Sequence, residues 1–65
     1  MRLIMPTVDL PFDYLTKGTI YRIDTMNGGI YDQIYFSNTT RVSGTYLRSI
    51  RIKKLLRDGH LIFVD

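Results

Sequence analysis

The residues best suited by type and spacing to a specific interaction are a run of cations near the end of the chain. Five of the nine Lys and Arg residues fall within ten positions. These are Arg48, Arg51, Lys53, Lys54 and Arg57. Such side chains neutralise nucleic-acid phosphates and release counterions, which makes affinity sensitive to salt. The simpler interpretation is a solvated helix face, because runs of charge are usually surface.

Catalysis and metal binding have little basis in the sequence. The chain has one histidine, His60, and no cysteine. A nucleophilic triad needs a histidine that is oriented by an acid and within reach of a hydroxyl. Asp58 is separated from His60 by one glycine and is better explained as part of a turn, as are Asp9 and Asp13, which lie among prolines. We therefore predict a protein that is not an enzyme and uses no metal and no cofactor.

The composition predicts one small domain rich in strands and turns. A chain of 65 residues buries only about 60% of its unfolded surface. Its net charge is +3, and all six acids are aspartates, which suit turns better than helix interiors. The apolar run at residues 3–5 is too short for a secretory signal or a membrane span. We expect a soluble, cytoplasmic protein, either a monomer or a homodimer.

A β-hairpin is the clearest element. We predict strands over residues 19–26 and 30–36, joined at Asn27, Gly28 and Gly29. These residue types tolerate the positive φ angles of tight turns. The sequence allows two alternative turns, one centred on Asn27-Gly28 and one on Gly28-Gly29.

The two turns give different strand registers. The first pairs Ile23 with Asp32, and the second pairs Ile23 with Ile34. Either register places an apolar set on one face, with Asp32 as a polar exception on that face. The apolar set is Tyr21, Ile23, Ile30, Ile34 and Phe36, and the polar face carries Arg22, Asp24, Tyr31, Gln33 and Tyr35.

The polar face of the hairpin is a second candidate surface. Arg22, Tyr31 and Tyr35 offer flat rings and a guanidinium, which can stack on exposed bases. Tyrosine and arginine are also enriched among the residues that dominate protein–protein interfaces. The simpler interpretation is that tyrosines on a small sheet cover the edge of the core.

The remaining elements are shorter. Residues 2–5 form a strand that Pro6 ends, and residues 6–17 form an irregular loop whose apolar residues pack down. Residues 37–40 form a turn, and residues 41–48 a third strand in which Gly44 marks a bulge. The last strand, residues 61–64, lacks alternation and should be covered on both faces.

A short helix is predicted between the third and last strands. Ser49 caps it, and Gly59 ends it in the left-handed conformation. Apolar and basic residues fall on opposite sides of a helical projection. The apolar side carries Ile52, Leu55 and Leu56, and the basic side carries Lys53, Lys54 and Arg57. The alternative extends the third strand through Ile52.

The order of these elements resembles that of the SH3-like small barrels. The segment from Leu15 to Tyr21 is similar to the Lys-Gly and apolar strand that follow the first long loop of that family. The segment from Gly44 to Ser49 is similar to its approach to a short helical turn. The chain has no tryptophan, and Arg48-Ser49-Ile50 has no proline. The family's binding of proline-rich peptides is therefore not implied.

We predict a mainly β fold, either a small SH3-like barrel or a curled antiparallel sheet with one short helix before the last strand. The first functional hypothesis is a non-enzymatic module that binds DNA or RNA through the basic helix face. The alternative is a phage- or mobile-element-type regulator that inhibits or recruits a host protein through the Tyr31 and Tyr35 face or through a sheet edge.

Overall fold

The fold is mainly β, with one antiparallel sheet and one short helix before the last strand. The computed structural model describes residues 2–23, 30–39 and 41–65, and only the backbone at residues 42–44. The elements are β1 (Arg2–Pro6), a 3₁₀ turn (Pro11–Asp13), β2 (Tyr21–Ile23), β3 (Tyr31–Phe36), β4 (Val42–Arg48), α1 (Ser49–Arg57) and β5 (Leu61–Phe63).

The five strands form one open sheet in the order β4-β3-β2-β1-β5. Every neighbouring pair is antiparallel, and no pairing within the described residues joins β4 to β5. The register of β3 against β4 shifts between Gln33 and Tyr35, opposite the part of β4 that contains Gly44. The antiparallel sheet and its irregularity are confirmed, and strand pairing does not close the sheet into a barrel.

The hairpin follows the second of the two predicted registers. Ile23 lies opposite Ile34 and Tyr21 opposite Phe36, as a turn at residues 28–29 requires. The turn itself and Asp24 lie outside the described residues. Tyr21, Ile23 and Ile34 are buried, which confirms the apolar face at these three positions, whereas Phe36 at the end of β3 is exposed. Ile30 was wrongly placed in the core, since it precedes β3 and is exposed.

Asp32 is the polar residue predicted on the apolar face, and it is buried there. Its carboxylate accepts a hydrogen bond from the Ser49 hydroxyl at 3.3 Å. Ser49 is therefore not the helix cap. The capping position belongs to Arg48, whose side chain makes no capping bond, and the Ser49 amide donates instead to the Ile30 carbonyl at 2.9 Å.

The helix covers the inner face of the sheet. Ile52 and Leu55 are fully buried, and Leu56 packs beside them. They join a core to which every strand and the first long loop contribute. The core residues are Ile4, Leu10, Leu15, Tyr21, Ile23, Ile34, Leu47, Ile52, Leu55 and Leu61. The predicted helix is confirmed, and the alternative of a longer third strand is wrong.

Gly59 ends the helix as predicted, with φ of +77°. Its amide donates to the Leu56 carbonyl at 3.2 Å, and the His60 amide donates to the Leu55 carbonyl at 3.0 Å. These are the two hydrogen bonds of a Schellman motif. A Cβ at position 59 would meet no atom within 4 Å, so any cost of a side chain there comes from the backbone conformation.

We expect Gly59→Ala to lower the free energy of unfolding by about 1 kcal/mol, because a residue with a Cβ is strained in the left-handed region. Gly59→Asn should cost less, since asparagine tolerates that region. Urea denaturation followed by circular dichroism measures both variants. Equal midpoints for Gly59→Ala and the parent protein would contradict the assignment.

The prediction for the last strand is wrong. β5 is an edge strand that pairs only with β1 among the described strands, so it is not covered on both faces. Leu61 is buried, but Ile62, Phe63 and Val64 are each more than a third exposed. The apolar run reflects a strand whose residues are half covered by the edge of the core, not a central strand.

The first and last described segments are joined by a small polar cluster. The Arg2 guanidinium lies 3.9 Å from the centre of the Phe63 ring and donates to the Asp65 carboxylate at 3.0 Å. This hydrogen bond lowers the pKa of Asp65 below its usual value. Arg2 is therefore paired with an acid within the fold.

Candidate nucleic-acid interface

One side of α1 carries the predicted basic residues. Because Ile52 and Leu55 are buried, the opposite side of the helix must face water. Positions spaced by three or four residues share a side. Lys53, Lys54 and Arg57 share that exposed side, and we call them the basic stripe. Together with Ile50 and Arg51 they line a shallow groove along the helix.

The basic stripe keeps its positive charge accessible. Among the described residues, neither Lys53 nor Lys54 forms an ion pair. Arg57 contacts Asp58 at 3.5 Å, but both side chains are exposed. Such exposed pairs contribute about 0–1 kcal/mol and are screened by salt, so they do not hold the guanidinium away from another anion.

The stripe is only partly explained by the stability of the helix. Lys54 and Arg57 lie in the last turn, where cations complement the negative end of the helix dipole. Lys53 lies four residues before Arg57, and like charges at that spacing are unfavourable by about 0.2–0.5 kcal/mol. The dipole therefore accounts for two of the three cations but not for Lys53.

Arg51 differs from the stripe because it binds a buried acid. Its guanidinium donates to both carboxylate oxygens of Asp13, at 2.9 and 3.3 Å. Asp13 is 7% exposed. The hydrogen bond to Asp13 raises the pKa of Arg51 above its ordinary value. Arg51 thus fastens the 3₁₀ turn of the first long loop to the helix, and less of its charge is available to a ligand.

Arg48 also lies apart from the stripe. It projects from the outer face of the sheet, which is the face opposite the helix, and lies across from Tyr31 on β3. Its guanidinium is 5.9 Å from the centre of the Tyr31 ring. Arg22 stacks in the same way on Tyr35, at 4.6 Å. The three predicted partner-binding residues, Arg22, Tyr31 and Tyr35, therefore lie on one face together with Arg48, which was predicted to bind nucleic acid. The four residues form two Arg–Tyr pairs with cation–π contacts.

The tip of the first long loop presents two aromatic rings. Leu10 and Leu15 are buried and exchange backbone hydrogen bonds at 3.0 and 3.1 Å, which closes the loop between them. Asp13 points inward to Arg51, whereas Phe12 is 95% and Tyr14 71% exposed. Tyr14 has φ of +57°, which is uncommon for a residue other than glycine. Both rings therefore lie on the surface at the tip of the closed loop and outside the core.

The exposed rings border an open cleft with a volume of about 520 Å³, which we call the aromatic cleft. It lies between the loop tip and the β3 and β4 strands, and Arg51 belongs both to this cleft and to the groove of the basic stripe. The aromatic residues that line it are Phe12, Tyr14, Tyr31 and Tyr46.

Of the four rings, only Tyr31 was predicted from the sequence to contact a partner. Phe12 and Tyr14 were predicted to pack down with the rest of their loop, and Tyr46 had no predicted function. The alternation of Thr45 inward and Tyr46 outward along β4 was the available signal for Tyr46. For the loop tip, no periodicity exists that would separate the inward from the outward residues.

The described residues contain no group of three or more His, Cys, Asp or Glu side chains placed to hold a metal ion. His60 is exposed and lies directly before β5, in the turn that ends the helix. Within the same residues, no helix combines the length and apolar character needed to span a bilayer.

No protein-family model, no curated protein and no solved structure matches the chain. Function must therefore be inferred from the charge and geometry of the basic stripe, the Arg–Tyr pairs and the aromatic cleft.

Proposed function

We propose that the protein is a non-enzymatic nucleic-acid-binding module that contacts phosphates through the basic stripe. The observation that carries this proposal is the accessible charge of Lys53 and Lys54, which no described acid neutralises. The burial of Ile52 and Leu55 fixes the helix so that these charges face outward together with Arg57. A rigid row of cations is suited to a polyanion, whose phosphates repeat along its length.

Salt dependence is the expected signature of this contact. Each phosphate that a cation neutralises releases counterions, and the slope of log affinity against log salt is about −0.9 per contact for duplex DNA. Removing Lys53, Lys54 and Arg57 should therefore weaken binding and flatten this slope by as much as about 2–3. The substitutions should not unfold the protein, since all three side chains are exposed.

The test is fluorescence anisotropy with labelled single-stranded and duplex DNA and RNA over a salt series. The variant Lys53→Ala with Lys54→Ala is compared with Lys17→Ala combined with Arg41→Ala, which removes the same charge from two exposed loop positions. We expect the two helix substitutions (the helix pair) to weaken binding and flatten the salt slope. The two loop substitutions (the loop pair) should change the affinity and the slope by much less.

Two outcomes would contradict the proposal. If the parent protein binds none of these nucleic acids at low salt, it is not a nucleic-acid-binding module. If the two double variants lose affinity equally, the net charge of the protein, and not the helix face, is responsible for binding.

A protein-binding regulator of the phage or mobile-element type is the second candidate. It is favoured by the exposure of the aromatic rings, including Tyr31 at 57% and Tyr46 at 65%, because exposed aromatic patches often mark protein interfaces. Arg22, Tyr31 and Tyr35 would then contact the host protein. The two double variants separate the candidates, since a protein interface elsewhere on the molecule predicts that the helix pair and the loop pair change nucleic-acid affinity equally.

We also propose a relationship to the SH3-like barrels. It is supported by the order of the elements, with a long packed loop after β1 and a short helix between β4 and β5. The cytoplasm is the compartment we propose, on the absence of cysteine from the sequence.

A further inference from the structure

We propose that the preferred ligand is a single-stranded nucleic acid whose bases stack in the aromatic cleft while its phosphates continue onto the basic stripe. This inference rests on the proposed function and adds the strandedness of the ligand. It depends on three features of the cleft: its exposed rings, its charge and its continuity with the stripe.

The rings are the first feature. Phe12 is 95% and Tyr14 71% exposed, so burial of Phe12 contributes almost nothing to the stability of the fold and burial of Tyr14 contributes little. Tyr14 in addition adopts a backbone conformation that is unfavourable for its residue type. Aromatic side chains that are exposed in this way suit unpaired bases, because every base has a π face that can stack on them. In a duplex the faces of the bases are covered by their neighbours.

The charge of the cleft is the second feature. Arg48 and Arg51 line it, and among its described lining residues Asp13 is the only acid. The Asp13 carboxylate is buried and already accepts two hydrogen bonds from Arg51. Asp13 and Arg51 thus offset each other's charge, and Arg48 leaves the described lining with a net positive charge that favours an acidic backbone over a neutral ligand.

Continuity is the third feature. Arg51 lines both the cleft and the groove that contains Lys53, Lys54 and Arg57. A strand with a base in the cleft can therefore pass its backbone directly onto the stripe. This is the usual arrangement of single-strand-binding surfaces, in which a basic path follows the backbone and rings hold the bases.

The experiment measures the affinity of a labelled mixed-sequence single strand and of its duplex by fluorescence anisotropy. The variants are Phe12→Ala and Tyr46→Ala, and the matched control is Ile20→Ala, an exposed apolar residue that lines neither the cleft nor the groove of the basic stripe. We expect each ring removal to weaken single-strand binding about fivefold or more. The salt slope and the duplex affinity should stay unchanged, because no phosphate contact is lost.

A second comparison separates stacking from general apolar contact. Phe12→Tyr and Tyr46→Phe keep the ring and should retain affinity, whereas Phe12→Leu keeps apolar volume without the π face and should lose it. Circular dichroism checks that all variants remain folded, as expected for side chains this exposed.

The experiment distinguishes failure of this inference from failure of the proposed function. If single strand and duplex bind equally and Phe12→Ala has no effect, the inference is overturned while the proposed function stands, provided that the stripe variants still lose affinity. The aromatic cleft would then serve another partner, such as a protein. If the parent protein binds no nucleic acid at low salt, both proposals fail.

Discussion

Replacing Ile52 by alanine should lower the free energy of unfolding by about 3 kcal/mol, within the roughly 2–5 kcal/mol range for such core truncations. The Ile52 side chain is 0% exposed and lies where the helix meets the sheet. Its truncation removes buried apolar surface and leaves a cavity that the small core cannot fill. Ile50→Ala is the matched control, because Ile50 belongs to the same helix but is 73% exposed. It should change stability by less than about 0.5 kcal/mol.

The loss at Ile52 is large for so small a protein. Stabilities of roughly 0.05–0.15 kcal/mol per residue amount to about 3–10 kcal/mol for this chain. Ile52→Ala can therefore unfold much of the population, and Ile52→Val, with an expected cost of about 0.5–1.5 kcal/mol, provides a second measurement. Urea denaturation followed by circular dichroism gives the midpoints. Equal effects of the alanine variants at positions 50 and 52 would show that the helix does not pack as described.

The helix was predictable because its signals are local. The spacing of Ile52, Leu55 and Leu56 distinguishes a buried side, and Gly59 supplies the left-handed residue that ends the helix. The hairpin register was predictable to within two alternatives for the same reason, since turn chemistry and alternation act over a few residues. The structure selects the register that pairs Ile23 with Ile34 and so keeps apolar residues opposite each other.

The contacts that complete the candidate site are not local. Asp13 and Arg51 are separated by 38 positions, and nothing in either segment indicates the other. Phe12 and Tyr14 lie at the tip of a loop that the hydrogen bonds between Leu10 and Leu15 close, and both rings are exposed. An apolar residue in a loop is predicted by default to join the core. At this loop tip the two aromatic rings are exposed instead.

The partial exposure of the last strand was also not predictable from local sequence. An apolar run indicates burial, but the extent of burial depends on how many neighbours the strand has. β5 pairs with β1 and has no described strand on its other side, so Ile62 and Phe63 remain partly exposed. Whether a sheet of five strands closes depends on its curvature and stagger, which arise from the whole sheet and not from the strand itself.

Arg51→Ala should lower the free energy of unfolding by about 2 kcal/mol, because it leaves the Asp13 carboxylate buried without its partner. The Asp13 side chain is 9% exposed and that of Arg51 40%. The effect should therefore be asymmetric. Asp13→Ala leaves a guanidinium that water can still reach, and it should cost less than Arg51→Ala. Urea denaturation at neutral pH measures each variant.

Arg57→Ala is the matched control for this pair, since Arg57 belongs to the same helix but contacts an exposed aspartate at 3.5 Å. It should cost no more than about 1 kcal/mol, as exposed ion pairs do. Removing both Asp13 and Arg51 should be less damaging than the sum of the single changes, with a coupling of about 1 kcal/mol. Strict additivity, or equal losses at Arg51 and Arg57, would show that Asp13 does not fasten the loop tip to the helix.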